Sequence, residues 1–280
     1  MRRVTVGMPV RNGAPLLAAA LESVVRQDFD DLDILVSDNA STDETPSIIA
    51  EFQRRDARIR SVRHAAAMPA LNHFHWVKDQ ARGEYFMWAA HDDVRSTDFV
   101  SGLARGLDEH ARAVLAFGDL HVSREPCRIG ERRDYEFETE GRGLVRRVRK
   151  AAFGQCFHLY GLWRTDVLRR IPEAYALWWP DLPIMTAAAC LGEFIHVVGP
   201  RFGYYETFKS NAVRAEYQDL GERFHRLGSM LELQRAVWRS CAAVAGPAAG
   251  AFAMACVAAR HASEVPGFLL RRTRDRVVGT

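Results

Sequence analysis

Paired cysteines are missing from this chain of 280 residues: Cys127, Cys156, Cys190, Cys241 and Cys256 are odd in number and far apart. That spacing excludes the short paired arrangements of a structural zinc site or a redox dithiol, and it reads as reduced, mostly buried thiols. An excess of one sign of charge is missing too. The 38 basic and 35 acidic side chains leave +3, too little for a nucleic-acid footprint, so no nucleic acid is expected as partner. No charged segment followed by an apolar run opens the chain, because Met1-Arg2-Arg3 leads straight into Val4-Thr5-Val6; no secretory signal is expected. A reducing cytoplasm fits both observations. The apolar stretch 241–259 is Ala-rich and broken by Gly246-Pro247 and Gly250, which predicts two packed helices rather than a membrane span. What is present, 48% hydrophobic and 26% charged residues, is the composition of a globular protein with a substantial core.

From residue 4 to about residue 122, short β-rich runs alternate with amphipathic stretches, the pattern of a parallel sheet with crossover helices. Strands are expected over residues 4–8, 32–36, 59–62, 85–90 and 113–117. A helix should follow Asn12-Gly13, with Leu17, Leu21, Val24 and Val25 on one face. Ser41 followed three residues later by Glu44 matches a capping box for a second helix, and Pro46 falls in its first turn, where no N–H is needed. Residues 71–81 read as a third helix. Further on, residues 181–191 read as a helix closed by Gly192, residues 194–198 and 202–205 as two late strands, and the chain from 217 onward as helical. The charged, glycine-containing segment 131–149 reads as mobile or partner-facing.

In an open parallel sheet, ligands bind beyond the carboxyl ends of the strands, where helix N-termini point outward. Three polar clusters end strands here: Pro9-Val10-Arg11-Asn12-Gly13, then Asp38 to Asp43, then His91-Asp92-Asp93. Topology alone places all three along one rim. Adjacent carboxylates closing an apolar strand raise each other's pKa unless something positive lies beside them. Mg²⁺ or Mn²⁺ is the simplest partner, since these ions take one or two carboxylates together with substrate phosphates. The plainer alternative has Asp92 capping a helix and Asp93 solvated; three clusters on one rim favour the site.

The stretches VTVGMPVRN, ILVSDNASTDET and ARGEYFMWAAHDD resemble the nucleotide-sugar domain of family 2 glycosyltransferases, over roughly the first 120 residues. The resemblance implies an α/β fold of GT-A type, with a mostly parallel central sheet flanked by helices and a C-terminal helical extension. Residues 1–123 would form the donor half, 124–215 the acceptor and catalytic half of the same domain, and 216–280 the extension. It implies metal-dependent, inverting transfer from a nucleoside-diphosphate sugar, a UDP-sugar first, to a carbohydrate, lipid-linked or small-molecule acceptor in polysaccharide, lipopolysaccharide or other glycoconjugate synthesis. By the same likeness Asp38 would bind the base or ribose, Pro9, Val10, Asn12 and Asn39 would line the nucleotide pocket, and Asp92 would hold Mn²⁺ or Mg²⁺ with Asp93 adjacent. One departure stands out: the family's aspartate-any-aspartate motif reads Ala90-His91-Asp92 here. The remaining carboxylate can still hold the ion, because the phosphates supply ligands themselves, whereas nitrogen ligation by His91 is disfavoured for such ions.

In the second half, Asp181 opens a helix after Trp178-Trp179-Pro180, and the resemblance makes it the candidate base for the acceptor proton. An ordinary N-cap is the plainer reading. His158, Tyr160, Gly161, Trp163 and Trp179 offer aromatic faces and polar tips suited to a sugar or lipid-linked acceptor, with a buried core as the alternative. Lys209 stands where the family has a loop over the diphosphate. The basic run Arg142, Arg146, Arg147, Arg149 and Lys150 is either a solvated face or a contact for anionic headgroups, which would set the protein peripherally at the inner face of a membrane. Two rivals remain. A nucleotidylyltransferase needs a Gly- and basic-rich triphosphate loop, and residues 9–13 are too short and too poorly charged for one. A non-catalytic nucleotide-sugar binder or assembly subunit is admitted by Ala90.

Overall fold

The computed structural model describes residues 2–134, 136–154, 156–173, 181–206 and 227–277. Strands β1 (Val4–Val10), β2 (Leu32–Asp38), β3 (Ile59–Arg63) and β4 (Tyr85–Trp88) pair in parallel in the order β3-β2-β1-β4. All seven residues of β1 are buried, as a parallel strand covered on both faces requires. Helices α1 (Ala14–Val25), α2 (Thr45–Arg55) and α3 (Ala70–Asp79) join them. Leu17, Leu21 and Val24 of α1 and Ile49 and Phe52 of α2 fill the core. Val10 pairs with Asp38, and Asp38 with Arg63, so the loops after β1 and β2 emerge side by side.

Beyond β4 the sheet becomes mixed. The chain forms β5 (Val94–Arg95), α4 (Phe99–Glu109), β6 (Ala113–Ser123), β7 (Glu131–Arg133), a 3-10 turn (Cys156–Tyr160), β8 (Leu162–Arg164) and β9 (Glu193–Tyr205). The order continues β4-β8-β6-β9-β5, with β7 on β6. Because β8 is antiparallel to both β4 and β6, and β9 is parallel to β6, β4, β6 and β9 all end on the same rim.

Two expectations are corrected here. Segment 131–149 is not a mobile stretch: β7 pairs with β6, Phe137 is buried, Thr139 exchanges hydrogen bonds with Phe194, and 144–153 is helical. The two late strands are one, β9, in which residues 197–200 bulge out of register, with Gly199 at φ +114°.

Two compact units share the chain. The first comprises Met1–Gly141, Cys156–Arg170 and Gly192–Glu216, the second Arg142–Gln155, Ile171–Leu191 and Tyr217–Thr280. The first holds the sheet and ends its middle segment on α6 (Thr165–Arg170). The second is helical: α5 (Leu144–Phe153), α7 (Asp181–Leu191), α8 (Leu227–Ala245) and α9 (Pro247–Val277). Gly246, at φ +87°, ends α8 in the left-handed conformation that favours glycine, and Pro247 starts α9 where a missing N–H is harmless. Among the described residues no helix is long and apolar enough to cross a membrane.

Candidate functional site

The turns after β1 and β2 are bolted together. The Asn12 N–H donates to Ser41 Oγ at 2.9 Å and Asn12 Oδ1 accepts the Thr42 N–H at 2.9 Å. The Gly13 N–H donates to Thr45 Oγ1 and the Ala14 N–H to Asp43 Oδ2. The expected capping box is therefore absent. Helix α2 starts at Thr45, so Glu44 rather than Ser41 occupies the N-cap position, and the Ser41 hydroxyl is taken by Asn12. Gly13 is required by contact: a Cβ there would lie 2.6 Å from Val10 Cγ2 and 2.8 Å from His91 Cδ2. His91 thus packs on the β1 turn, joining the first cluster to the third.

Asp38 closes β2 at 2% exposure. Its Oδ1 accepts the Ser41 N–H at 2.9 Å. Its Oδ2 is buried without a hydrogen-bond donor, with Arg63 Nε at 3.5 Å. A buried carboxylate oxygen left in this state costs stability until a donor reaches it, which is what a binding site offers its ligand. Asn39 is used differently from the expectation. Its amide donates to Met68 O at 2.8 Å and its Oδ1 accepts the Met68 N–H at 2.9 Å, so both ends of the amide are used in tying the turn after β2 to the segment before α3. Pro9 and Val10 are buried in β1, and Val10 O accepts the Asn39 N–H.

Beside Asp38, the Ser37 hydroxyl lies 2.8 Å from His73 Nε2 and 3.0 Å from His64 Nε2. Burial, then the neighbouring His64, pushes His73 down to about 4 from 6.5. Between those values the unfolded chain binds the proton and the folded one does not, so stability is whole above pH 6.5 and falls as pH drops toward 4. The urea midpoint should decline across that window, and decline less in His73→Gln. An identical slope in both proteins refutes the assignment.

The third cluster separates the two carboxylates. Asp92 is half-buried, whereas Asp93 is 1% exposed and its Oδ1 accepts the Tyr205 N–H at 2.9 Å. Burial, then the charge of Asp92, pushes Asp93 up to about 7. Fully buried Arg95 supplies the opposing charge to both. It donates to Trp88 O at 3.1 Å, its guanidinium lies 5.2 Å from the Phe202 ring centre, and burial lowers it to about 10, which leaves it charged. Tyr160 also acts on Arg95. Cys127 is raised by burial and by Asp92, which places the thiol near that carboxylate. Beyond Tyr205 a hollow of about 660 Å³ is lined by Val122, Arg124, Glu125, Arg128, Glu131 and Glu206. Among the described residues the non-glycine positions with left-handed backbone are Asn12, Ala40 and Cys127. One lies in each rim turn and one near Asp92, and such strain gathers at functional sites.

The proposed acceptor contacts do not gather. Trp163 is fully buried, its indole N–H donating to Leu159 O, and Gly161 lies so close to Ala116 O that a Cβ would sit 2.4 Å away; both are core. His158 is buried and stacks on Phe137 at 4.1 Å. Among the described ones, Tyr160 packs against Phe202 and acts on Arg95. Asp181 opens α7 in the second unit. Trp179 and Lys209 lie outside the described residues. Sequence reasoning missed Arg95, whose only signal is a cation two residues past Asp93, and the Tyr205 N–H, which carries none.

The sequence profile "Glycosyl transferase family 2" matches residues 5–164, more than half of the chain. The chain belongs to glycosyltransferase family 2. A Campylobacter jejuni relative, GalNAc(5)-diNAcBac-PP-undecaprenol beta-1,3-glucosyltransferase, is 32% identical over 146 residues, 51% of this chain and 44% of that one. The uncharacterized glycosyltransferase EpsJ of Bacillus subtilis is 24% identical over 115 residues, 41% and 33% of the two chains. The match thus spans less than half the length of either curated relative. Among solved structures, S. aureus TarS 1–349 in complex with UDP superposes with a TM-score of 0.68 at 15% identity, covering 96% of this chain and 75% of that one. The mannosyltransferase PcManGT of Pyrobaculum calidifontis, in complex with GDP-Man and Mn²⁺, gives 0.55 at 17% identity, covering 98% and 80%. The α/β fold of GT-A type with C-terminal helices follows from these likenesses.

Proposed function

We propose that the protein transfers a sugar from a nucleoside-diphosphate sugar, a UDP-sugar first, to an acceptor hydroxyl with inversion. The observation that carries this is the buried Asp38 carboxylate, whose Oδ2 lacks a donor at the end of β2. A base or ribose would complete it. Asp92 is the accessible hard-oxygen ligand for Mn²⁺ or Mg²⁺. Among the described residues no group of three or more His, Cys, Asp or Glu could hold a metal, so the ion would complete its shell on the donor's phosphates. When bound, it supplies positive charge to the leaving diphosphate. In the transfer the bond from the anomeric carbon to the diphosphate oxygen breaks as the acceptor oxygen bonds to the opposite face, and the hydroxyl proton passes to Asp181. The hollow beside Glu206 replaces Gly161 and Trp163 as the acceptor's approach.

Support for the donor class comes from family membership and from the UDP and GDP-Man complexes of the neighbours. The Campylobacter relative is named for a glycan on PP-undecaprenol, which supports a lipid-linked glycan among the acceptors and a place in glycoconjugate synthesis. A thermal-shift screen of nucleoside diphosphates and their sugars, with and without Mn²⁺, tests the reading, since a ligand bound only by the folded state raises Tm. No shift with any nucleoside diphosphate sinks it. Ala90 favours one other reading, a non-catalytic binder, which predicts Tm shifts without sugar transfer or donor hydrolysis.

Asp38→Asn keeps the acceptor for the Ser41 N–H and removes only the charge at the open oxygen. A hydrogen bond to a charged group contributes about 1.5–3 kcal/mol, so nucleotide affinity should fall by roughly 10- to 100-fold with Tm nearly unchanged. Calorimetric titration with UDP checks this, and unchanged affinity for the folded variant removes Asp38 from the site.

A further inference from the structure

We propose that α5 docks the second unit on an anionic phospholipid surface. The inner side of this ten-residue helix, Leu144–Phe153, is fixed. Val148, Ala151 and Ala152 are buried. Arg147 donates through Nε to Ala189 O of α7 at 2.9 Å, and Arg260 of α9 donates through Nη1 to Ala152 O and Gly154 O at the helix's C-terminus. With that side committed, the outward face is set.

That face joins apolar and cationic groups. Val145, Arg149 and Phe153 are spaced four residues apart and so form one row along the helix, with Arg146 beside it. Val145 is 58% exposed, Phe153 44% and Leu144 41%. Among the described residues seven large hydrophobics are exposed, and three of them fall on this one short helix, so the clustering is not ordinary surface scatter. Arg142, Arg146 and Arg149 are exposed and make no ion pair among the described residues, and residues 142–155 contain no Asp or Glu. A solvated face would mix both signs. Apolar side chains that reach the acyl boundary beside arginines that meet headgroup phosphates are the composition of an interfacial helix.

The test is co-sedimentation of the full chain with vesicles of phosphatidylcholine alone and of phosphatidylcholine with phosphatidylglycerol. It needs neither donor nor acceptor, so it fails or succeeds independently of the catalytic reading. Binding is expected on the anionic vesicles only, and it should weaken at about 0.5 M salt as screening shortens. Each cation near such a surface contributes about fivefold, so Arg146→Gln with Arg149→Gln should reduce partitioning roughly 25-fold. Phe153→Ser should reduce it roughly tenfold. Circular dichroism and Tm should not change, because the altered groups are exposed. Equal binding to both vesicles, no binding to either, or variants that bind like the wild type would each overturn the proposal. Loss of binding to an acidic polypeptide with vesicle binding intact would assign the face to a protein partner instead.

Discussion

Asp92→Asn should remove most of the Mn²⁺-dependent part of donor affinity, while Asp93→Asn leaves most of it. The two neighbours differ in what surrounds them. Asp92 is half-buried on the rim, and Asp93 is nearly inaccessible, pegged to the Tyr205 N–H and set against Arg95. With Ala90 in place of a second carboxylate, the proposed metal site has Asp92 as the one charged protein ligand of the motif. Its conversion to an amide should weaken Mn²⁺-dependent binding on the order of 100-fold, because affinity for such ions follows ligand charge. Above pH 7, where Asp93 is ionised, Asp93→Asn removes a negative charge that acts on the buried Arg95 guanidinium, and a buried cation left with less opposing charge is read in stability. It should lower Tm while the folded fraction keeps its metal response. Titrating UDP with and without Mn²⁺ into wild type and both variants decides the matter. Equal Mn²⁺-dependent affinity in all three proteins moves the ion elsewhere.

The first four strands were legible because their physics is local. A parallel strand buried on both faces must be apolar throughout, so β1 to β4 stand out as runs, and the polar residues that end them fall on one rim by topology. Asp38 and Asp92 were placed at strand ends in this way. What escaped depends on pairing at long range. β5 has two residues and β8 three, too short for periodicity, and each exists because a distant strand receives it. The Asp93 carboxylate is held by a backbone N–H of Tyr205, which has no side-chain signature. β9 read as two strands because residues 197–200 are polar-poor and turn-like. The bulge survives because Asp119 of β6 accepts both His196 Nε2 at 2.9 Å and the Gly199 N–H at 3.1 Å, stitching across the break. Trp163 and Gly161 looked like acceptor contacts because aromatic and glycine residues serve sugar sites and sheet cores alike; burial alone tells them apart.

The largest effect is expected at Asp181. The residue opens α7 and is half-buried, while residues 182–189 behind it are all buried, so the helix is held by its packing and the carboxylate stands at its positive end. Two roles are open to a carboxylate there. As a cap, its charge and oxygen satisfy the helix N-terminus, and asparagine does this about as well, so Asp181→Asn would be nearly silent in both stability and rate. As the base, it takes the acceptor proton while the sugar is transferred, an interaction present only near the transition state. Proton transfer of this kind contributes about 10² to 10⁴ in rate. Asp181→Asn should then lower kcat by that factor while UDP affinity, Mn²⁺ response and Tm stay near wild type. Asp181→Ala separates the roles further, since it removes the cap as well and should lower Tm where asparagine does not. A folded Asp181→Asn protein that retains most of its turnover assigns the helix-capping role to Asp181 and moves the base to Glu206, which lines the hollow beyond Tyr205.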